Sequence, residues 1–65
     1  MNNSTNVKNS DIRGEIKAAG MFIWLVAAQL GIAESTFLRW LRFEMSDERK
    51  TQIRAAIKEI EEEQG

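Results

Sequence analysis

Apolar side chains fall into four groups along the chain, separated by short polar or glycine-marked breaks. Ile12, Ile16 and Ala19 recur at i, i+4 and i+7, one stripe of a helix predicted over about 10–19. Ser10 is its expected N-cap, Asp11 suits the positive end of the helix dipole, and Gly20 supplies a left-handed C′ residue. Met21 to Ala28 is an eight-residue apolar run inside a second helix predicted over about 22–30. Gly31 breaks that helix, and a third is expected from Glu34 to about Phe43. So short a gap forces the two helices to cross steeply. Ser46 caps a fourth helix over about 47–62, with Asp47 and Glu48 in its first turn and Ile53, Ala56, Ile57 and Ile60 as its buried stripe. Met1–Asn9, rich in Asn, Ser and Thr, reads as a disordered arm before a single domain over 10–65. The pattern predicts an all-α fold, a small bundle of four helices around one core.

The second helix is apolar nearly all round: Gln29 is the only polar residue between Met21 and Leu30. Val26, Ala27 and Leu30 account for an inner face, which leaves Phe22, Leu25 and Ala28 facing elsewhere. Two readings follow. Either this outer stripe packs on another chain or a terminal segment, or Phe22 is buried under the fourth helix and Leu25 is merely exposed.

Composition narrows the chemistry. A chain of 65 residues buries only about 60% of its unfolded surface. Its core then supplies roughly 3–5 kcal/mol, which oligomerisation would supplement. With no Cys or His, a disulfide framework, a Cys/His zinc site and thiol or imidazole catalysis are excluded. Tyr is also absent and no carboxylate pair stands out, so an enzyme is not expected, nor is a cofactor or metal. The eight-residue apolar run is far short of the ~20 residues that span a bilayer. The N-terminus lacks the pattern of a secretory signal, so the cytoplasm of a bacterial or phage-infected cell is the expected location.

Charge is unevenly spread. The net charge is −1, yet Glu59, Glu61, Glu62 and Glu63 crowd the end. Residues 1–58 hold nine basic side chains against six acidic ones, a net of +3. The closing glutamates sit at the negative end of the last helix dipole, where fraying is expected.

Ile23 to Arg42 resembles the twenty-residue helix-turn-helix of phage repressors and Cro-like regulators. Val26 and Leu30 match the inward positions of the first helix, and Ala27 the small residue where the helices cross closest. Gly31 matches the turn, where a positive φ costs a side chain about 1–2 kcal/mol. Ile32 plugs the turn into the core, Phe37 and Leu41 anchor the second helix, and Trp40 fills a further apolar position. The sequence departs from the family at Met21, Phe22 and Ile23, where a phosphate-holding hydroxyl or amide residue is common.

The resemblance implies that the helix over 34–43 enters the major groove N-terminus first. Its outward residues would be Ala33, Glu34, Ser35, Thr36, Leu38, Arg39 and Arg42. Arg39 suits guanine O6 and N7, Glu34 a cytosine N4, and Ala33 or Leu38 a thymine methyl. Ser35 and Thr36 hydroxyls suit phosphates. Arg49, Lys50 and Arg54 form a basic face on the fourth helix, read either as solvated or, through Arg49 and Lys50, as phosphate contacts. The implied partners are double-stranded DNA and a second copy of the chain, as in a phage or mobile-element repressor. Two other readings stay open: a protein-interaction module on the same scaffold, with Phe22 and Leu25 facing the partner, and an excisionase-like architectural DNA-binding factor.

Overall fold

The computed structural model describes residues 8–64, and four α-helices carry the fold: α1 (Ser10–Ala18), α2 (Ile23–Leu30), α3 (Glu34–Trp40) and α4 (Asp47–Gln64). Among the described residues there is no strand, and no helix is long and apolar enough to cross a membrane. The all-α bundle is therefore as the hydrophobic pattern predicts.

One core ties the four helices together. Ile12 and Ile16 of α1, Val26 and Ala27 of α2, Phe37 of α3, and Ile53, Ala56, Ile57 and Ile60 of α4 are all buried, joined by Leu41 and Met45 from the α3–α4 connection. Leu30, Ile32 and Trp40 close its edges. α4 is the spine against which both α1 and α2 pack, while α3 is mounted on α2.

Both predicted glycine breaks are real, and for the predicted reason. Gly20 (φ 72°) and Gly31 (φ 78°) are left-handed. After α1 the Gly20 N–H donates to the Lys17 carbonyl and Met21 N–H to Ile16; after α2 the Gly31 N–H donates to Ala28 and Ile32 N–H to Ala27. Each is a paired-bond helix stop that satisfies carbonyls the helix leaves open. The second also swings Ile32 back toward the core and limits the α2–α3 connection to Gly31–Ala33. Ser46 caps α4 as expected: its hydroxyl accepts the Arg49 N–H at 3.1 Å.

Three expectations need correction. Asn9 is not part of a disordered arm: it is fully buried and stands just before α1 in the left-handed region (φ 58°). Lys8 precedes it in an exposed turn, and the rest of the expected arm, 1–7, lies outside the described residues. Ser10 is consequently the first helical residue rather than a cap. α3 is seven residues long and stops at Trp40, not Phe43. Arg42 and Phe43 lie beyond it, with N–H groups donating three residues back, to Arg39 and Trp40, in a tightened turn. α4 is helical through Gln64.

The outer stripe of α2 also resolves differently. Phe22 is not buried under α4 but 66% exposed, and Leu25 is half-buried against the core rather than outward. Ala28 is exposed, and so is Trp24, whose ring stacks beside Phe22 with centroids 6.3 Å apart.

Candidate nucleic-acid interface

α3 is short, so its orientation depends on anchors rather than on its own stability. Phe37 and Leu41, both fully buried, hold one side. Trp40 meets Phe37 edge-to-face, centroids 6.2 Å apart. The opposite side presents Ala33, Glu34, Ser35, Leu38 and Arg39 to solvent, followed by Arg42 just past the helix end. Thr36 is half-buried, so it is the least available of the seven residues singled out on this segment.

The corner between α3 and α4 is fixed by Asn9. Its side-chain Nδ2 donates to the carbonyls of Leu41 (3.1 Å) and Phe43 (2.7 Å), and its Oδ1 accepts the Met45 N–H at 2.8 Å. Its own N–H donates to a Glu44 carboxylate oxygen at 2.9 Å. Arg13 adds a second donor to the Leu41 carbonyl at 3.4 Å. A non-helical stretch of backbone thus finds partners that secondary structure does not supply. This corner sets where Arg42 and Phe43 stand relative to α3, a role that sequence reasoning missed.

The basic face expected on α4 divides in two. Lys50 is buried and paired with Asp11 (3.0 Å) and Glu44. It therefore does not face solvent as a phosphate contact. Arg54 forms a two-pronged pair with Glu15, Nε at 2.9 Å and Nη2 at 2.8 Å, and also reaches Asp11. These two cations serve α1–α4 packing. Arg49 alone turns toward α3, its guanidinium 3.8 Å above the Trp40 ring. Such stacking is worth about 0.5–1 kcal/mol at an exposed site and restricts where the charge can go. Arg39, Trp40, Phe43, Glu44, Ser46 and Arg49 line an open groove of about 420 Å³.

Arg39, Arg42 and Arg49 form no ion pair among the described residues. Arg39 and Arg49 thus share one groove and Arg42 is exposed just past α3, three open cations where the sequence alone pointed to four. Comparison with protein families, with characterised proteins and with solved structures finds no match to this chain.

The ion-pair cluster opposite has a pH consequence. The Lys50 ammonium holds the Asp11 carboxyl below its ordinary range, helped by the Ile12 N–H. It does the same to Glu44, helped by the Asn9 N–H. Lys50 is raised in turn, by Glu44 first and Asp11 second. Lowered carboxylates contribute stability that is fully present above about pH 4 and lost as pH falls through their folded values; the raised lysine contributes below about pH 10 and stops contributing above its folded value. The thermal midpoint followed by circular dichroism is expected to be flat from about pH 5 to about pH 10 and to fall on both sides. Lys50→Met should flatten the alkaline fall and make the acid fall shallower; an unchanged profile would show that the cluster does not contribute.

Proposed function

We propose that this chain is a sequence-specific DNA-binding regulator in which α2, the Gly31 turn and α3 form a helix-turn-helix. α3 enters the major groove and reads base edges with Arg39, assisted by Glu34, Ser35 and Leu38. Arg42 and Arg49 hold the flanking phosphates. The observation that carries the reading is the pairing pattern of the cations: Lys50 and Arg54 pair with Asp11, Glu15 and Glu44, whereas Arg39, Arg42 and Arg49 carry no ion pair among the described residues.

A net negative chain can bind DNA this way because local charge governs the contact. The function is non-enzymatic repression by occlusion in a bacterial cytoplasm, with two copies placing α3 in successive major grooves about 34 Å apart. Small size and the resemblance to phage repressors favour a phage or mobile element as the source.

The test is an amide NMR titration of the full chain with mixed-sequence duplex DNA at low salt. Shifts should cluster on Ala33–Arg42 and Arg49 and reverse with added salt. Two to three phosphate contacts in each of two bound copies predict a slope of log K against log salt of about −4 to −5. Shifts elsewhere with a silent α3 would overturn the reading. A second reading, a protein-interaction module, is favoured by the exposed Phe22–Trp24 pair. An apolar protein contact would be nearly insensitive to salt.

A further inference from the structure

α1 sorts its side chains onto three faces. Ile12 and Ile16 are buried; Asp11 and Glu15 pair with Lys50 and Arg54 of α4. Arg13 and Lys17, also four apart, face away from these acids and line a groove of about 440 Å³ with Ile16, Gly20, Phe22 and Ile23. Arg13 donates only to backbone carbonyls, of Lys8 and Leu41, and neither cation meets a carboxylate among the described residues. The N-terminal end of α2 therefore offers uncompensated positive charge beside two exposed aromatic rings.

The opposite charge stands at the other end of α2. Gln29 donates to Glu59 at 3.0 Å, and beyond it Glu61, Glu62 and Glu63 are exposed on a helix that continues through Gln64. Within one chain the two charges are separated by most of α2, about 10 Å of helix. The acidic end, held in its helix, does not turn back to the groove.

Between the two ends, the solvent face of α2 carries Trp24 and Ala28, one turn apart. Both are exposed, the first a large ring and the second a small residue. Two α2 helices packed antiparallel on this face, about a two-fold axis that crosses it midway between Trp24 and Ala28, would set each Trp24 on the second copy's Ala28. The same operation lays each basic, aromatic end against the other copy's acidic end. A surface that complements itself under a two-fold is what a symmetric dimer requires.

We propose that the chain self-associates through this face: α2 antiparallel on α2, Trp24 seated on Ala28, and Arg13 and Lys17 facing the glutamates at the end of the second copy's α4. This specifies the dimer invoked in the functional reading and rests on it only for its biological purpose, since association needs no DNA.

Sedimentation equilibrium of the full chain without DNA tests it. The wild type should be dimeric at sub-millimolar concentration, with the dissociation constant rising as salt is added. Ala28→Glu and Trp24→Ala, both at exposed sites, should give folded monomers by circular dichroism. Lys17→Glu should weaken the dimer about tenfold, and Glu62→Lys in the same chain should restore it. A wild type that stays monomeric overturns the proposal. So does a dimer indifferent to Ala28→Glu and Trp24→Ala, or one whose charge swap fails to restore association. Loss of DNA binding in a chain that still dimerises through α2 would sink the DNA reading alone.

Discussion

Asn9→Ala is expected to remove nearly all of the chain's folding stability, leaving folded and unfolded forms in comparable amounts at ambient temperature. Asn9 is fully buried, and its side chain serves the Leu41 and Phe43 carbonyls and the Met45 N–H. Leaving a buried polar group without its partner costs about 1–3 kcal/mol. The Leu41 carbonyl keeps a long bond from Arg13, so the Phe43 carbonyl and the Met45 N–H bear most of the loss. Alanine must also adopt the left-handed backbone that Asn tolerates (φ 58°), at about 1–2 kcal/mol. The sum, roughly 4 kcal/mol, matches the ~3–5 kcal/mol that so small a core supplies. Urea unfolding followed by circular dichroism would read it. Asn9→Gly should recover the backbone part but not the hydrogen bonds, and so fall between alanine and wild type. Asn9→Asp retains the acceptor for Met45, loses both donated bonds and sets a second carboxylate beside Glu44. Near-native stability of the alanine variant would show that the corner at 41–45 holds without Asn9.

The effect is large because Asn9 replaces secondary structure for the chain between α3 and α4, and that is also why it was hard to see beforehand. An asparagine inside an Asn/Ser/Thr-rich stretch looks like solvated arm, and its partners are backbone groups more than thirty residues away. No periodicity marks such a residue. The helices, by contrast, were legible because their signals are local: Gly20 and Gly31 stop α1 and α2 with positive φ, and Ser46 caps α4 through its own hydroxyl. The ends of α3 were not. Trp40, Leu41 and Phe43 read as one apolar helical run, yet Asn9 draws the Leu41 and Phe43 carbonyls out of helical register.

The ionic cluster was legible in part. Asp11 and Glu15 are four apart on α1, and Lys50 and Arg54 four apart on α4, so a matched pair of charged stripes was already written along two neighbouring helices. Reading α4 by itself assigned those cations to solvent or phosphate. Reading it against α1 assigns them to each other, as the structure does. The same subtraction isolates Arg39, Arg42 and Arg49 on one side and Arg13 and Lys17 on the other. Trp24 reads from the sequence as core or rim packing, and its exposure has a different cause. On an apolar helix in so small a protein, the aromatic residue is the natural core candidate, yet Val26 and Ala27 already fill the interface and the ring is 54% exposed.

Arg39→Ala is expected to change which DNA is preferred more than how tightly DNA in general is held. Arg39 is exposed on α3 and carries no intramolecular pair among the described residues, so its removal should leave folding unchanged. A bidentate guanidinium–guanine contact is worth about 1–3 kcal/mol of discrimination, roughly ten- to a hundredfold, at one base pair. The variant should lose that factor on the preferred duplex and bind a duplex altered at that position as the wild type does. Arg39→Lys should lose most of it as well, because a lysine cannot present two parallel donors. Arg49→Ala should behave differently. Its guanidinium is stacked on Trp40 and faces the flank of α3, so affinity should fall on every sequence alike, with the salt slope shallower by about 1 for each bound copy. Fluorescence anisotropy on a selected duplex and its single-position variants, repeated across salt concentrations, separates the two behaviours. If Arg39→Ala weakens all sequences equally, Arg39 is a phosphate contact and base reading lies elsewhere on α3. If it changes nothing while Arg49→Ala does, α3 is not the reading helix, because the one side chain on its exposed face able to fork onto guanine would be idle.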